Sequence, residues 1–356
     1  MGCASAKPAS PDGISYVHGG DAAPEVGPRT FAGAHTDMVN GVAAGCGAGE
    51  WLSCAEDKAV LLTDWHNGKV VQTWRGHERG VNRVLAAPHI DGALTCSRDT
   101  TVRLWRRGES APAATYTGHE LSVSAIALAA DGAKAMSGSR DYSLRVWDLA
   151  AGSCAARCQI SRNVVTCLAW VDGEKELVAQ GSEDLRLRVW DVRALSKPAG
   201  VAEGAYAYFP LCLASSGHYL VTGSNGFDST GCELRVWDRR TMKQLYEPLN
   251  GHAQAVQGLA MLPRAAGGAD APLLACSGSK DGQLRLWDLT SGTCTGSMTL
   301  NGGVGVTGVA TARADEPEAQ LYVSTTAGDV HAIRTTADGE LEILATGTLA
   351  DADQRM

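Results

Sequence analysis

The fold is decided by one stretch, Ser137-Gly138-Ser139-Arg140-Asp141-Tyr142-Ser143-Leu144-Arg145-Val146-Trp147-Asp148, because close variants of it recur along the chain. A tryptophan ends a near-identical frame five times, at intervals of 40 to 50 residues. That period is typical of a repeat whose unit is a four-stranded sheet. The repeated residues are Trp105, Trp147, Trp190, Trp237 and Trp287. The chain is therefore interpreted as a repeat array.

Polar residues at fixed offsets from these tryptophans predict a hydrogen-bonded chain within each repeat. An Asp lies six residues before the Trp in four repeats, and a Gly-His pair places a His 28 residues before the Trp in two. An Asp in a tight turn accepts hydrogen bonds from the turn and from a His, whose other nitrogen can reach a hydroxyl that takes the indole N–H. Structural roles are assigned on this basis to His77, Asp99, Trp105, His119, Asp141, Trp147, His252, Asp281 and Trp287. We expect these histidines to be structural and not catalytic.

The repeated frames resemble the WD-repeat family over roughly residues 31 to 347. That resemblance implies a β-propeller, in which each four-stranded blade buries both faces against its neighbours. Seven units are counted, with Trp65 displaced in the first and Ile333 in place of Trp in the last. The expected fold class is all-β, a seven-bladed WD-repeat β-propeller at residues 29–347, between a flexible, disordered leader at 1–28 and a tail at 348–356.

Four blades depart from the pattern, which predicts uneven local stability. In blade one Thr63 falls six residues after Asp57, and Trp65 comes two residues later. Blade four has Ser161 at the His position and Gln180 at the hydroxyl position, and blade five has no His and an irregular turn at 224–233. Blade seven keeps only its strand pattern. Complete polar chains are therefore expected in blades two, three and six.

Two segments compete for the outer strand that closes the ring. Arg29-Thr30-Phe31-Ala32 would close it from the N-terminal side, and Leu341-Glu342-Ile343-Leu344-Ala345 suits the same position equally well. Both cannot occupy one position, and the sequence favours neither.

Composition argues against several classes of function. A net charge of −8 and the lack of a Lys/Arg run argue against a nucleic-acid partner, although a local basic patch stays open. Eleven scattered cysteines, no secretory signal and no apolar stretch near the ~20 residues that span a bilayer indicate a cytoplasmic protein with reduced thiols. Because no catalytic, metal or cofactor motif occurs, we expect no enzyme activity, no cofactor, no metal and no small-molecule substrate.

The first seven residues, Met1-Gly2-Cys3-Ala4-Ser5-Ala6-Lys7, predict a lipid anchor. Removal of Met1 would leave Gly2 with an unhindered amine for N-myristoylation, although Ala6 stands where the signal prefers Ser or Thr. One myristoyl chain binds membrane at only roughly 10⁴ M⁻¹, so Cys3 is expected to carry palmitate as a second signal. The alternative is that Gly2 and Cys3 open a Pro-rich disordered tail by accident.

Function is then expected in the loops that the rigid scaffold presents. The Gly-His turns and the Asp turns emerge at one common end of a propeller, and the side chains just before each turn Asp project there. The expected partner-binding residues are Arg98, Arg140, Glu183 and Lys280, with Asn225, Phe227 and Asp228 of the blade-five turn. Alternatively, the charges are only solvated, and Phe227 folds back into the gap left by the missing His.

Three features resemble a ciliary branch of the WD-repeat family: the segment 160–170, the blade-five turn and the leader that begins at Gly2. This resemblance implies a membrane-peripheral scaffold at the cilium or ciliary base, with intraflagellar transport proteins, cargo adaptors and small-GTPase regulators as partners. A rival interpretation rests on two Trp-Asp-x-Arg boxes, which resemble those of substrate receptors for cullin-based ubiquitin ligases. In that case the adaptor contacts would be Asp191, Arg193, Asp238 and Arg240.

Overall fold

The computed structural model describes residues 28–32, 35–160, 163–202, 206–263, 272–336 and 339–349. Across these ranges the chain forms 29 β-strands in seven sheets, besides two single-turn 3-10 helices. The chain is an all-β, seven-bladed β-propeller, and the predicted fold class is confirmed. Gly2 and Cys3 of the leader, Ser161 of blade four and the tail from residue 350 lie outside the described residues.

Each blade is an antiparallel sheet of four consecutive strands, of which the first lies nearest the channel. Blade one comprises β2 (Val39–Ala44), β3 (Glu50–Ala55), β4 (Ala59–Asp64) and β5 (Lys69–Arg75). Blade two comprises β6 (Val81–Ala87), β7 (Gly92–Ser97), β8 (Val102–Arg106) and β9 (Ala114–Tyr116). Blade three comprises β10 (Val123–Leu128), β11 (Lys134–Ser139), β12 (Ser143–Asp148) and β13 (Ser153–Gln159). Blade four comprises β14 (Val165–Trp170), β15 (Leu177–Ser182), β16 (Leu187–Asp191) and β17 (Gly200–Ala202).

The last three blades follow the same order, and the seventh gains a strand. Blade five comprises β18 (Pro210–Ser216), β19 (Tyr219–Ser224), β20 (Leu234–Asp238) and β21 (Lys243–Gln244). Blade six comprises β22 (Val256–Met261), β23 (Leu274–Ser279), β24 (Gln283–Asp288) and β25 (Thr293–Thr299). Blade seven comprises β26 (Val306–Thr311), β27 (Leu321–Thr325), β28 (Val330–Thr335) and β29 (Leu341–Thr348), with β1 (Arg29–Ala32) added at its outer edge.

The hydrophobic core is divided among the seams between blades. The described residues contain seven clusters of buried apolar side chains, and each cluster draws its members from two adjacent blades. One of these clusters joins blade seven to blade one, so the ring is closed by packing. Each blade thus depends on its neighbours for the burial of its faces.

Small residues let neighbouring blades approach at one recurring position of the second strand. At Gly138 a Cβ atom would lie 2.3 Å from Cγ1 of Val165 in the next blade, a distance at which one of the two must move. The corresponding residues of the other blades include Cys54, Cys96, Gly181, Gly223 and Gly278. The two buried cysteines therefore act as small packing groups.

A β-bulge near the start of each inner strand places one side chain at the seam. Asn40 donates to a blade-two carbonyl at 2.9 Å, and Thr307 donates to the Val39 carbonyl at 2.6 Å, which links blade seven to blade one. Equivalent inter-blade hydrogen bonds come from Asn82, Ser124 and Thr166. Blade five has Leu211 at this position, and its side chain has no donor.

Both candidate strands take part in ring closure. β29 is the outer strand of blade seven, and β1 adds to its free edge in parallel, with Arg29 opposite Ala345. The two segments therefore do not share one position: β29 takes the outer position, and β1 adds beyond it, because the unpaired backbone groups of an outer strand accept a further strand. Phe31 of β1 stacks on Trp51 of blade one, with ring centroids 5.8 Å apart. The N-terminal strand thus joins the last blade through its backbone and the first through a side chain.

Candidate interaction surface

The polar chain of blade three is closed within the blade. His119 Nδ1 lies 2.8 Å from a carboxylate oxygen of Asp141, and its Nε2 lies 2.8 Å from the Ser137 hydroxyl. The Trp147 indole donates to the same hydroxyl at 2.8 Å. With Nδ1 carrying the proton, each donor has an acceptor. Blades two and six contain the same chain, formed by His77, Thr95, Asp99 and Trp105 and by His252, Ser277, Asp281 and Trp287.

Hydrogen bonds keep the Asp of these chains ionised. Burial alone would raise the pKa of Asp141, but hydrogen bonds from Ser143, the Glu120 amide and His119 outweigh it and lower that pKa to about 2. The pKa of Asp281 is lowered to about 2 because His252 and backbone amides likewise outweigh burial. Burial lowers the pKa of His119 despite the adjacent carboxylate, so its imidazole stays neutral. These groups serve the fold.

Blades four and five satisfy the same indole with other groups. The side-chain carbonyl of Gln180 accepts the Trp190 N–H at 2.9 Å. In blade five the Thr222 hydroxyl accepts the Trp237 N–H at 3.3 Å, and the Tyr206 hydroxyl lies 2.7 Å from Thr222, where the imidazole lies in other blades. Sequence reasoning missed Tyr206. Its signal was an aromatic hydroxyl 16 residues before Thr222, whereas the His of blades two and three lies 18 residues before its partner.

Blade one has a polar chain that ends at the hydroxyl. His35 lies 3.0 Å from Asp57 and 2.9 Å from Ser53, but no indole reaches Ser53. The displaced Trp65 donates instead to the Tyr322 hydroxyl of blade seven at 3.2 Å. Its displacement therefore moves the indole from its own blade to the seam that closes the ring.

Three of the predicted binding residues meet at the mouth of the central channel. Arg98, Arg140 and Lys280 line a cavity of about 1200 Å³ at the end where the Asp turns emerge. Arg98 also forms an ion pair with Glu56 at 2.8 Å. Glu183 is exposed in the corresponding turn of blade four but is not among the residues that line this cavity. The structure thus brings together three of the four predicted turn charges.

Two further arginines at the mouth were missed by sequence reasoning. Arg79 and Arg83 line the same cavity, and Arg83 donates to the Asn40 carbonyl at 3.1 Å. Neither precedes a turn Asp, and the side of β6 that faces the channel is set by its bulge, which the sequence does not reveal. The local basic patch that the net charge left open lies here, beside the carboxylates of Glu78 and Glu120.

The blade-five turn exposes an aromatic ring at the same end. Phe227 is 55% exposed, and its ring contacts the edge of Tyr208 with centroids 5.7 Å apart. The alternative that Phe227 fills the gap of the missing His is wrong, because Tyr206 occupies that gap. Asn225 is held by a backbone hydrogen bond within the blade, and Asp228 accepts a hydrogen bond of 3.4 Å from blade six.

The two Trp-Asp-x-Arg boxes lie at the opposite end, where β16 and β20 terminate. Arg193 binds Asp191 through two hydrogen bonds of 2.9 and 2.6 Å, and Arg240 binds Asp238 through two of 3.0 and 2.8 Å. The arginine side chains are 67% and 61% exposed. Hydrogen bonding from Arg193 lowers the pKa of Asp191 to about 2, so this pair is ionic. Each pair leaves part of its guanidinium in solvent.

The described ranges contain no metal-ligand cluster, and their buried thiols are protonated. No group of three or more His, Cys, Asp or Glu side chains there could hold a metal ion. Burial raises the pKa of the Cys96 thiol to about 12 and that of Cys167 to about 11, which keeps both protonated. None of the described helices is long and apolar enough to cross a bilayer.

Three segments match the family model for WD40, described as WD domain, G-beta repeat: residues 68–106, 110–148 and 242–288. Each segment includes the outer strand of one blade and ends with the third strand of the next. The sequence repeat and the blade are therefore offset by one strand. The chain carries WD40 repeats, arranged as a seven-bladed β-propeller.

Similarity to individual proteins extends over short segments of the chain. Protein DOA1 of Saccharomyces cerevisiae is 37% identical over 60 residues, which are 17% of this chain and 8% of that protein. Zinc finger CCCH domain-containing protein 63 of Arabidopsis thaliana is 35% identical over 88 residues, which are 25% of this chain and 18% of that protein. The similar window thus spans less than a fifth of either relative.

Proposed function

We propose that this protein is a non-enzymatic interaction scaffold that is tethered to membrane by its N-terminus and acts in ciliary trafficking. WD40 propellers are generally non-enzymatic and typically bind other proteins. The ciliary part is supported by the resemblance of the segment 160–170, the blade-five turn and the Gly2 leader to WD repeat-containing protein 31. Intraflagellar transport proteins, cargo adaptors and small-GTPase regulators are the partners that this resemblance implies.

The contrast between buried and exposed polar groups carries the scaffold part of the proposal. The His, Asp and hydroxyl groups that recur from blade to blade satisfy one another inside the blades. Arg140 and Lys280 are exposed at the mouth, and neither forms an ion pair in the described part of the chain. Phe227 is exposed at the same end. A rigid ring that presents cations and an aromatic side chain in this way is suited to binding a partner.

The attachment point of the leader supports a tether. β1 lies at the outer edge of blade seven, away from the channel mouth. The 27 residues from Gly2 to Pro28 would span at most roughly 90 Å when fully extended. An acyl group on Gly2 would therefore leave the mouth accessible to a partner. A second chain on Cys3 supplies the stable anchoring that one myristoyl group does not give.

The tether is tested with full-length protein tagged at its C-terminus, because a tag before Gly2 would block acylation. Gly2→Ala should move the protein from the membrane fraction to the soluble fraction, and Cys3→Ser should leave only weak membrane binding. Ser5→Ala is the matched control and should partition like the wild type. An unchanged membrane fraction for Gly2→Ala would refute the tether.

The partner assignment is tested by proximity labelling from the same C-terminally tagged protein. Wild type should label intraflagellar transport proteins, cargo adaptors or small-GTPase regulators. The double variant Arg140→Ala with Lys280→Ala should lose direct partners, whereas Arg75→Ala, which changes an exposed arginine of an outer strand, should retain them. A wild-type set without ciliary proteins would remove the ciliary part of the proposal. If the wild type and the double variant label the same proteins, the mouth is not the binding surface.

A substrate receptor of a cullin-based ubiquitin ligase is the second candidate, favoured by the two exposed Arg-Asp pairs. Arg193→Ala with Arg240→Ala should then abolish co-purification of a cullin adaptor. Arg313→Ala is the matched control, because Arg313 forms a similar two-bond pair with Asp315 beyond the end of an inner strand. Adaptor capture that survives the double variant, or that is never seen with wild type, would exclude this candidate.

A further inference from the structure

Trp170 differs from every other tryptophan in the protein. All nine tryptophans lie in the described ranges, and eight of them are buried, with exposures of 3% or less. Trp170, at the end of β14, is partly exposed. Its indole N–H donates to the Glu174 carbonyl at 3.1 Å, which fixes the orientation of the ring. Trp is one of the three residue types enriched at the energetically dominant positions of protein interfaces.

The exposed part of Trp170 faces a groove of about 540 Å³ at the seam of blades three and four. Leu128 and Ala130 of blade three contribute to one side, and Val171 contributes with Trp170 from blade four. Because these residues belong to the turns that follow the inner strands, the groove lies at the end opposite to the channel mouth. Its volume is within the range of sites that hold a few side chains or a small ligand.

The charges at the groove indicate the sign of the charge that its occupant carries. Asp131 and Asp172 line opposite sides, are exposed, and accept only backbone N–H groups within the described residues. Glu174 is neutralised by Arg239 at 2.6 Å. Among the described residues, Lys175 is the one cation that lines the groove. The carboxylates without a cationic partner therefore outnumber the cation, and the face of Trp170 also attracts cations.

We propose that this groove docks a short segment of a partner protein in which a large apolar side chain stands next to Lys or Arg. The apolar side chain packs on Trp170 and Leu128, and the basic group lies between Asp131 and Asp172. This docking site is separate from the mouth and from the blade-five turn, so it does not rest on the function proposed above. A propeller with both surfaces would hold two partners at opposite ends.

Selection from phage-displayed random twelve-residue peptides tests the proposal. Peptides are selected on the full-length wild type and then measured by fluorescence anisotropy on variants. The expected peptides carry Leu, Phe or Trp beside Lys or Arg. Trp170→Ala should weaken peptide binding about 30-fold, which corresponds to the loss of about 2 kcal/mol expected for an interface anchor. Asp131→Asn with Asp172→Asn should weaken it about three- to tenfold, and more at low salt.

Two further variants make the result decisive. Asp37→Asn changes an exposed carboxylate at the other end of the propeller, outside both proposed surfaces, and should leave the peptide affinity unchanged. Trp170→Ala also removes packing at β14. If that variant unfolds less cooperatively than the wild type, the result for the double variant Asp131→Asn with Asp172→Asn decides the test. Selected peptides with acidic flanks, peptides insensitive to the groove variants, or no peptide enriched on wild type would each overturn the proposal. None of these outcomes bears on membrane partition or on the mouth variants.

Discussion

Blade three and blade five perform the same structural task with different groups. In blade three an ionised Asp141 orients His119, which orients the hydroxyl that accepts the Trp147 N–H. In blade five the hydroxyl is oriented by Tyr206, and no carboxylate of the described residues takes part. Blade three also has the inter-blade hydrogen bond from Ser124, whereas blade five has Leu211 there.

The comparison shows which features of a blade are constrained by the ring. A buried indole N–H needs an acceptor at one place, and several side chains can supply it. The Asp of blade three also holds its own turn, because it accepts backbone N–H groups. Blade five lacks that anchor, and its turn is longer and exposes Phe227. Loss of the polar chain thus coincides with a turn that is available for binding.

The largest expected loss of stability comes from replacing Asp141, the turn Asp of blade three. Asp141→Ala removes the acceptor of four hydrogen bonds, from His119, the Glu120 amide and the amide and hydroxyl of Ser143. The free energy of unfolding should fall by about 3 kcal/mol. Urea denaturation measures this change. Asp131→Ala, which changes an exposed Asp, is the control and should cost less than about 1 kcal/mol. A similar loss for both variants would contradict the structural role of Asp141.

The second prediction uses the pH dependence of stability to distinguish blade three from blade five. The pKa of Asp141 is about 2 in the folded protein and about 3.9 in an unfolded chain. Its contribution is therefore complete above about pH 4 and is lost as the pH falls toward 2, by about 1 to 2 kcal/mol after allowance for solvent screening. Asp141→Asn should lack this part of the acid destabilisation, whereas Tyr206→Phe should keep it. Urea unfolding between pH 5 and pH 2 compares the slopes, and equal slopes for wild type and Asp141→Asn would disprove the linkage.

A smaller effect is expected in blade five. Tyr206→Phe removes the hydroxyl that lies 2.7 Å from Thr222 but keeps the ring against Trp237. The free energy of unfolding should fall by about 1 kcal/mol, the usual contribution of one buried hydrogen bond. Tyr208→Phe keeps an aromatic ring at a position outside this chain and is the control. If Tyr206→Phe is neutral, the tyrosine packs in the gap without replacing the imidazole.

The smallest effect on stability is expected at the exposed ring. Phe227→Ala should change the free energy of unfolding by no more than about 0.5 kcal/mol, because the side chain is 55% exposed. The same variant should reduce labelling of any partner that binds at the turn end. A loss of stability of several kcal/mol would show that Phe227 belongs to the core of blade five.

Several features of the binding surfaces could not be predicted from the pattern. Arg98, Arg140 and Lys280 were identified because each directly precedes its turn Asp, a local offset. Arg83 was missed because a bulge decides which side of β6 faces the channel. Trp170 was not distinguished from the buried tryptophans, because its exposure depends on the seam between two blades.

The sequence by itself determined the number of blades and the residues of the polar chains in blades two, three and six, because these features depend on spacings within one repeat. Only the tertiary structure decided how β1 and β29 share the closing blade, since Arg29 and Ala345 are far apart in the chain. It likewise decided that Trp65 reaches Tyr322 and that Tyr206 replaces an imidazole. Those contacts form when the ring closes, and ring closure brings together groups that no local offset relates.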